Sequence, residues 1–183
     1  MKLISQRTRS WLLALLGWGC AATLPAQREV KSINDSWEFR MPAEEQWTRV
    51  NLPHTYNLDA YHNRDYYRGE GLYRRTLVVP EVKQGRRYYL KFDAASKAAE
   101  VRLNGQPVGN HAGGYTAFTL DITDHIQREN QLEVTVDNGR KDITPISADF
   151  TFWGGIYRDV WREDIPVLHI ASRDWPVTTK WSC

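Results

Sequence analysis

Hydrophobic and polar residues alternate along much of the chain. The clearest stretches are 88–92, 118–122 and 132–136, where every second side chain is apolar. Alternation with a period of two is typical of β-strands that bury one face and leave the other in water. Less regular apolar segments predict further strands at 37–40, 48–52, 73–79, 100–103, 156–161 and 167–171. The pattern therefore predicts about nine short strands.

Turn-forming residues separate these strands. The Asn-Gly pair at 104–105 favours a two-residue type I′ hairpin, in which both residues have positive φ. Double glycines at 113–114 and 154–155 indicate places where the backbone bends or is closely approached. One short helical turn is predicted at 124–128. Because no long stretch has helical periodicity, we predict an all-β antiparallel jelly-roll sandwich and exclude a doubly wound α/β fold.

The first part of the chain has the features of a secretory signal peptide. A basic start is followed by an uncharged apolar run at 11–19, and small residues precede a cleavage position after Ala26. The apolar run is far shorter than the ~20 residues that a membrane-spanning helix needs. We therefore expect a secreted or periplasmic protein without a membrane span. Lipid attachment at Cys20 is the less favoured alternative, since the residues before it match a lipidation signal poorly.

These observations divide the chain into three segments. The signal peptide is 1–26, the jelly-roll domain is 27–171, and 172–183 is a C-terminal tail. Removal of the signal peptide leaves Cys183 as the only cysteine, so no intrachain disulfide is expected.

Charge and composition exclude several classes of ligand. The signal segment holds three basic and no acidic residues, so its removal changes the formal charge from +2 to −1. No basic run remains that would follow a phosphate backbone, so nucleic acid is not an expected partner. The five histidines show no paired ligand spacing. We therefore predict no metal site and no cofactor.

The segment 147–160 contains the strongest chemical signal. Asp149 lies beside Phe150, Phe152 and Trp153, and the double glycine follows. Aromatic faces stack on sugars and a carboxylate accepts hydroxyl hydrogen bonds, so one interpretation is a sugar-binding site. The alternative is that the aromatic side chains belong to the core and that Asp149 caps a turn. No nucleophile motif or phosphate-binding glycine loop is present, and strand spacing does not identify a pair of catalytic carboxylates.

Several segments together resemble the N-terminal sugar-binding domain of family 2 glycoside hydrolases, which include the β-galactosidases and β-glucuronidases. The resemblance covers about residues 31–170. The segments that carry it are INDSWEF at 33–39, VNLPHTYN at 50–57, YYRGEGLYRR at 66–75, VRLNG at 101–105, GGYTAF at 113–118 and ADFTFWGGIYRDV at 148–160.

The resemblance implies specific residue roles. In that family the acid that matches Asp149 reaches into the active site of a neighbouring barrel and binds substrate hydroxyls, so Asp149 is the predicted substrate-binding residue. Arg68 matches a loop that approaches the same pocket, although a structural salt bridge is equally consistent with its position. Arg158 and Asp159 are assigned a structural role rather than a binding role, as adjacent charges on a strand near the sandwich edge.

The resemblance also implies partners that the sequence does not contain. Family members continue into an immunoglobulin-like domain and then a barrel that carries the catalytic glutamates. The tail at 172–183 departs from the family pattern, and a frameshift or a truncated gene model is the expected reason. We therefore expect the chain alone to be inactive and its ligand to be a carbohydrate of the β-galactoside type.

Two main function classes stay open. We favour a part of a β-galactosidase-like hydrolase in which Asp149 matters only when the barrel is attached, because half of a shared cleft binds weakly alone. The alternative is a free-standing carbohydrate-binding module that uses Phe150, Phe152 and Trp153 as a stacking platform. A third class is a purely structural domain that buttresses a barrel or a dimer partner and exposes apolar surface when isolated.

Overall fold

The computed structural model describes residues 27–143 and 150–167. Within them, ten strands are joined mainly by turns and loops. The strands are β1 (Glu29–Ser32), β2 (Trp37–Arg40), β3 (Thr48–Val50), β4 (Glu70–Val78), β5 (Arg86–Phe92), β6 (Ala98–Leu103), β7 (Gln106–Ala112), β8 (Phe118–Asp121), β9 (Glu129–Asp137) and β10 (Val160–Pro166). A short 3-10 helix, Leu58–Tyr61, lies between β3 and β4.

The strands form two sheets. One sheet has four strands in the order β1-β10-β5-β8, and the other has six in the order β3-β2-β4-β9-β6-β7. Every strand pair in both sheets is antiparallel. Several strands that pair in a sheet are distant in the sequence, for example β1 with β10 and β4 with β9. The prediction of an all-β antiparallel jelly-roll sandwich is therefore confirmed.

Alternation of side chains builds the core between the sheets. In β9, Leu132, Val134 and Val136 are buried while the residues between them are exposed or half-buried. Strand β5 does the same with Tyr88, Leu90 and Phe92. Complete burial of each such side chain contributes about 1.5–3 kcal/mol. Other large buried side chains that fill the core are Trp37, Tyr73, Leu103, Phe118, Ile122 and Ile156.

The hairpin between β6 and β7 confirms the predicted turn. Asn104 has φ of 54° and Gly105 has φ of 77°, the positive values that a type I′ turn requires. Asn104 also donates from Nδ2 to the His125 carbonyl at 3.0 Å. The partner strand β7 was not predicted, because most of its side chains are exposed or half-buried and it contains Pro107.

Several predicted elements differ from the structure. The strand predicted at 156–161 begins only at Val160, and Val167 lies just after β10 rather than in a new strand. The segment 124–128 contains no helix; its first residues complete a single turn, in which the Ile126 amide donates to the Ile122 carbonyl at 3.0 Å. The predicted signal peptide at 1–26, the tail at 172–183 and residues 168–171 lie outside the described residues.

Strand β10 departs from simple alternation because it buries three consecutive charged residues. Glu163 is 1% exposed and accepts two hydrogen bonds of 2.7 Å from Arg28. Asp164 pairs with Arg86 of β5. Arg162 lies 3.6 Å from Glu29 of β1. Buried charges need such partners, so these ion pairs connect β10 to elements on both of its sides.

Candidate functional site

One end of the sandwich gathers the loops that carry the predicted site. Strands β5, β7 and β9 finish at this end and β4 begins there, since Glu70 pairs with Asp137 and Ala98 pairs with Ala112. The loops that meet at this end are 62–69, 93–97, 113–117, 138–143 and 150–159. Loops displayed by a rigid sheet are a common location for binding residues.

Two buried asparagines fix the backbone at this end. Asn57 and Asn138 are both 0% exposed, and the Nδ2 of Asn138 donates to Oδ1 of Asn57 at 3.1 Å. Asn57 also accepts from the Gly154 amide at 2.6 Å and donates to the Tyr67 carbonyl at 2.6 Å. The amide side chains therefore replace the backbone hydrogen bonds that a loop cannot form by itself.

Asn138 makes additional hydrogen bonds to the same two loops, 62–69 and 150–159. Its Nδ2 donates to the Phe152 carbonyl at 2.8 Å, and its Oδ1 accepts from the Gly69 amide at 2.9 Å. The Phe152 amide in turn donates to the hydroxyl oxygen of Tyr66 at 2.8 Å. Three loops are thus connected through two side chains, which holds the backbone of 152–154 in one position.

The double glycine at 154–155 is needed because other groups approach it closely. A Cβ added to Gly154 would lie 2.3 Å from the ring of Tyr56. A Cβ added to Gly155, whose φ is 122°, would lie 2.5 Å from the carbonyl oxygen of His54. The prediction of a close backbone approach at this pair is therefore confirmed.

Two cationic side chains flank the buried ring of Phe152. The guanidinium carbon of Arg68 lies 4.5 Å from the ring centroid, and Nζ of Lys97 lies 5.4 Å from it. Such contacts stabilise a cation against the electron-rich ring face. Lys97 is 3% exposed and donates to the Arg140 carbonyl at 2.8 Å. Burial lowers the pKa of Lys97, and the nearby charge of Arg68 lowers it further.

The aromatic residues of the motif do not form one exposed platform, although the rings of Phe150 and Phe152 are in contact with centroids 5.1 Å apart. Phe152 is 3% exposed and lies in the interior, so its faces are not available to a sugar. Phe150 is 48% exposed and contacts the ring of Tyr115, with centroids 6.3 Å apart. Trp153 packs instead on Tyr61 at 5.2 Å. Phe152 was therefore wrongly included in the three-residue stacking platform considered from the sequence, because its ring is buried. Phe150 is the exposed ring.

The predicted site residues have different outcomes. Asp149 lies outside the described residues, so its role stays a prediction. Arg68 lies at the site end, over Phe152, as described above. Arg158 and Asp159 are not on a strand near the edge; they precede β10, an inner strand of its sheet. Asp159 accepts a 2.8 Å hydrogen bond from Asn34, whereas the Arg158 side chain is exposed.

The sequence did not identify Asn57, Asn138 or Lys97 as site residues. Asn138 directly follows β9 and precedes a glycine, which indicates a turn but not a tertiary hydrogen bond. In the sequence Lys97 does not differ from an ordinary surface lysine, and its burial is visible only in the folded loop. Among residues 27–143 and 150–167, no group of three or more acidic, histidine or cysteine side chains is placed to hold a metal ion. No helix in this part of the chain has the length and hydropathy to cross a membrane.

Acidification is expected to destabilise the fold through His54. Burial lowers the pKa of His54 below its ordinary 6.5, and its Nδ1 lies 2.8 Å from the hydroxyl oxygen of Tyr73. The unfolded chain therefore takes up the proton more readily, so this contribution to stability is present above the unfolded pKa and is lost as the pH falls through it. Urea unfolding at about pH 7.5 and about pH 5.5 measures the difference.

A His54→Gln variant provides the comparison. Its loss of unfolding free energy on acidification should be smaller than that of the unmodified chain. Part of the dependence should remain, because burial also lowers the pKa of His111. An unchanged pH dependence in His54→Gln would show that His54 does not contribute.

Comparison with known proteins gives consistent results. Residues 13–166 match the family model of the glycosyl hydrolases family 2, sugar binding domain. A β-glucuronidase of Bacteroides fragilis is 41% identical over 145 residues, which cover 75% of this chain and 21% of that protein. A β-galactosidase of Thermoanaerobacter pseudethanolicus is 36% identical over 150 residues, covering 78% of this chain and 20% of that protein.

Solved structures show the same relationship. The crystal structure of a Bacteroides uniformis β-glucuronidase superposes with a TM-score of 0.72 and 49% sequence identity. The match covers 76% of this chain and 18% of that chain. The chain therefore spans about one fifth of the length of the relatives that it matches.

Proposed function

Because the chain belongs to the sugar binding domain of the family 2 glycosyl hydrolases, we propose that it forms one wall of the substrate cleft of a β-glycosidase. In this proposal Asp149 contacts sugar hydroxyls, and the two catalytic carboxyl groups come from another part of the hydrolase. The observation that carries the proposal is the buried Asn57–Asn138 network. It fixes the backbone of 152–154, and a loop with a fixed backbone loses little entropy when it contacts a ligand.

The relatives suggest the substrate class. The proteins cited above at 49% and 41% identity are β-glucuronidases, and the one at 36% is a β-galactosidase. We therefore propose a β-glucuronide as the first substrate to test and a β-galactoside as the second. Both sugars present hydroxyl groups to a carboxylate, so the contact proposed for Asp149 suits either of them.

A free-standing carbohydrate-binding module remains the second candidate. Phe150 and Tyr115 are 48% and 55% exposed, so two aromatic rings at the site end are accessible to a ligand. The hydrolase proposal is favoured because Phe152, the middle ring of the motif, is buried in the interior and contacts two cationic side chains. A loop stabilised in this way is suited to forming the wall of a cleft.

A chimeric enzyme tests the proposal. Residues 27–171 of this chain would replace the matching segment of the Bacteroides fragilis β-glucuronidase, and hydrolysis of 4-nitrophenyl β-glucuronide and β-galactoside would be measured. We expect activity in the chimera and none in the chain alone. Asp149→Asn should lower kcat/KM by about 100-fold, which is the loss of about 3 kcal/mol from a charged hydrogen bond to substrate.

Asp124→Asn is the matched control. Asp124 is exposed and follows β8 at the opposite end of the sandwich, so its replacement should leave kcat/KM unchanged. A folded chimera with no activity would contradict the proposal that this domain completes the cleft. Full activity in Asp149→Asn would contradict the role of Asp149 alone.

A further inference from the structure

A concave site at the site end includes Tyr115 in its wall. It is a pocket of about 340 Å³ whose walls include Pro53, Asp93, Tyr115, Tyr157, Arg158 and Asp159. Asp93 follows β5 and Asp159 precedes β10, so the pocket lies at the site end of the four-stranded sheet. Neither Arg68 nor the two asparagines of the buried network belong to its walls.

The two carboxylates of the pocket are held in place by neighbouring donors. Asp93 accepts from the indole nitrogen of Trp161 at 2.8 Å and lies 3.1 Å from Nζ of Lys91. Asp159 accepts from Nδ2 of Asn34 at 2.8 Å. A carboxylate has about four acceptor positions, so both groups keep the capacity to accept further hydrogen bonds. Both carboxylates line the pocket, so a ligand there could use these acceptors.

The other walls supply ring faces and hydrogen-bond donors. Tyr115 is 55% exposed, and Tyr157 is half-buried with its hydroxyl donating to the Gly114 carbonyl. The guanidinium carbon of Arg158 lies 5.9 Å from the centroid of the Tyr157 ring. The Arg158 side chain is exposed and lines the pocket, so its guanidinium group can donate hydrogen bonds to a ligand at the rim.

We propose that this pocket binds one neutral hexopyranose ring as a second saccharide site of the protein. Sugar hydroxyls donate to Asp93 and Asp159 and accept from Arg158, while the C–H face of the ring packs on Tyr115. The two carboxylates are balanced by Lys91 and Arg158, which favours an uncharged ligand over a uronate. The volume is at the lower end for ligand pockets and suits a single ring.

This inference goes beyond the proposed function, because it involves other residues and needs no catalytic partner. Its test uses the whole chain and two-dimensional ¹H–¹⁵N NMR with methyl β-galactopyranoside, methyl β-glucopyranoside and methyl β-glucuronide. The indole N–H of Trp161, assigned with a Trp161→Phe variant, reports on Asp93 directly. We expect this signal to shift in a saturable way with at least one neutral glycoside and to shift less with the glucuronide.

Variants separate this pocket from the rest of the site end. Tyr115→Ala and Arg158→Ala should each raise the dissociation constant at least fivefold. Tyr61→Ala, which removes a ring that is 74% exposed outside the pocket, should leave it unchanged. Asp149→Asn should also leave it unchanged, so failure of the cleft proposal and failure of this one are distinguishable.

Three results would overturn the proposal. The first is a well-dispersed spectrum in which no neutral glycoside gives a saturable shift of the Trp161 indole signal. The second is equal weakening by Tyr61→Ala and Tyr115→Ala, which would indicate non-specific contact with exposed rings. The third is stronger binding of the glucuronide than of both neutral glycosides.

Discussion

Replacing Asn138 with leucine should lower the free energy of unfolding by about 4 kcal/mol. The leucine fills a similar volume but leaves the Gly69 amide, the Phe152 carbonyl and Oδ1 of Asn57 without the hydrogen bonds that Asn138 makes to them. Each buried polar group left unpaired costs about 1–3 kcal/mol. Urea unfolding followed by tryptophan fluorescence measures the change.

Two further variants make this result specific. Asn110→Leu, on an exposed position of β7, should change the unfolding free energy by less than about 0.5 kcal/mol. Asn57→Leu should be strongly destabilising, and the double variant Asn57→Leu/Asn138→Leu should lose less than the sum of the single losses, because the two residues share one bond. A loss below about 1 kcal/mol in Asn138→Leu would contradict a network role for this side chain.

Replacing Gly155 with alanine should cost about 3 kcal/mol or more of unfolding free energy. The residue has φ of 122°, and an added Cβ would lie 2.5 Å from the His54 carbonyl oxygen and 2.7 Å from the Tyr73 hydroxyl. Gly155 also exchanges backbone hydrogen bonds with Ser96, at 3.1 and 3.4 Å. A shift of the glycine to relieve the contact would therefore disturb this bridge as well. The unfolding free energy in urea gives the measurement.

Gly85→Ala separates backbone strain from crowding. Gly85 also has positive φ, at 74°, but no atom lies within 4 Å of an added Cβ. Its replacement should cost only the strain of a left-handed alanine, about 1–2 kcal/mol. Equal losses in the two variants would mean that close packing at Gly155 adds nothing to the requirement for glycine.

The sequence predicted the fold well where a strand buries one face. Residues 88–92 and 132–136 alternate because each lies over the core in the middle of its sheet. Strand β1 was missed because it is an edge strand whose four residues are all exposed, so its sequence carries no apolar period. Strand β10 was placed too early because its apolar pattern is interrupted by charges that become buried only through tertiary ion pairs.

The site was less predictable because its central contacts are tertiary. The close approach at 154–155 could be predicted, since it requires glycine and the two glycines are visible in the sequence. The Asn57–Asn138 bond joins residues 81 positions apart, and neither asparagine differs locally from one in an ordinary turn. Phe152 was grouped with its exposed neighbours because burial is not visible in a segment without regular periodicity.

The pairing of the first strand with the last has a kinetic consequence. Among the described strands β1 pairs with β10, and Glu29 lies opposite Asp164. During synthesis the N-terminal residues must therefore wait until nearly the whole domain has emerged before the smaller sheet can close. Contacts between such distant segments slow folding, since the loop entropy is lost before the contacts form. Until then only β5 and β8 can cover the six-stranded sheet, and the rest of its apolar face is the surface that a chaperone would protect or that would aggregate.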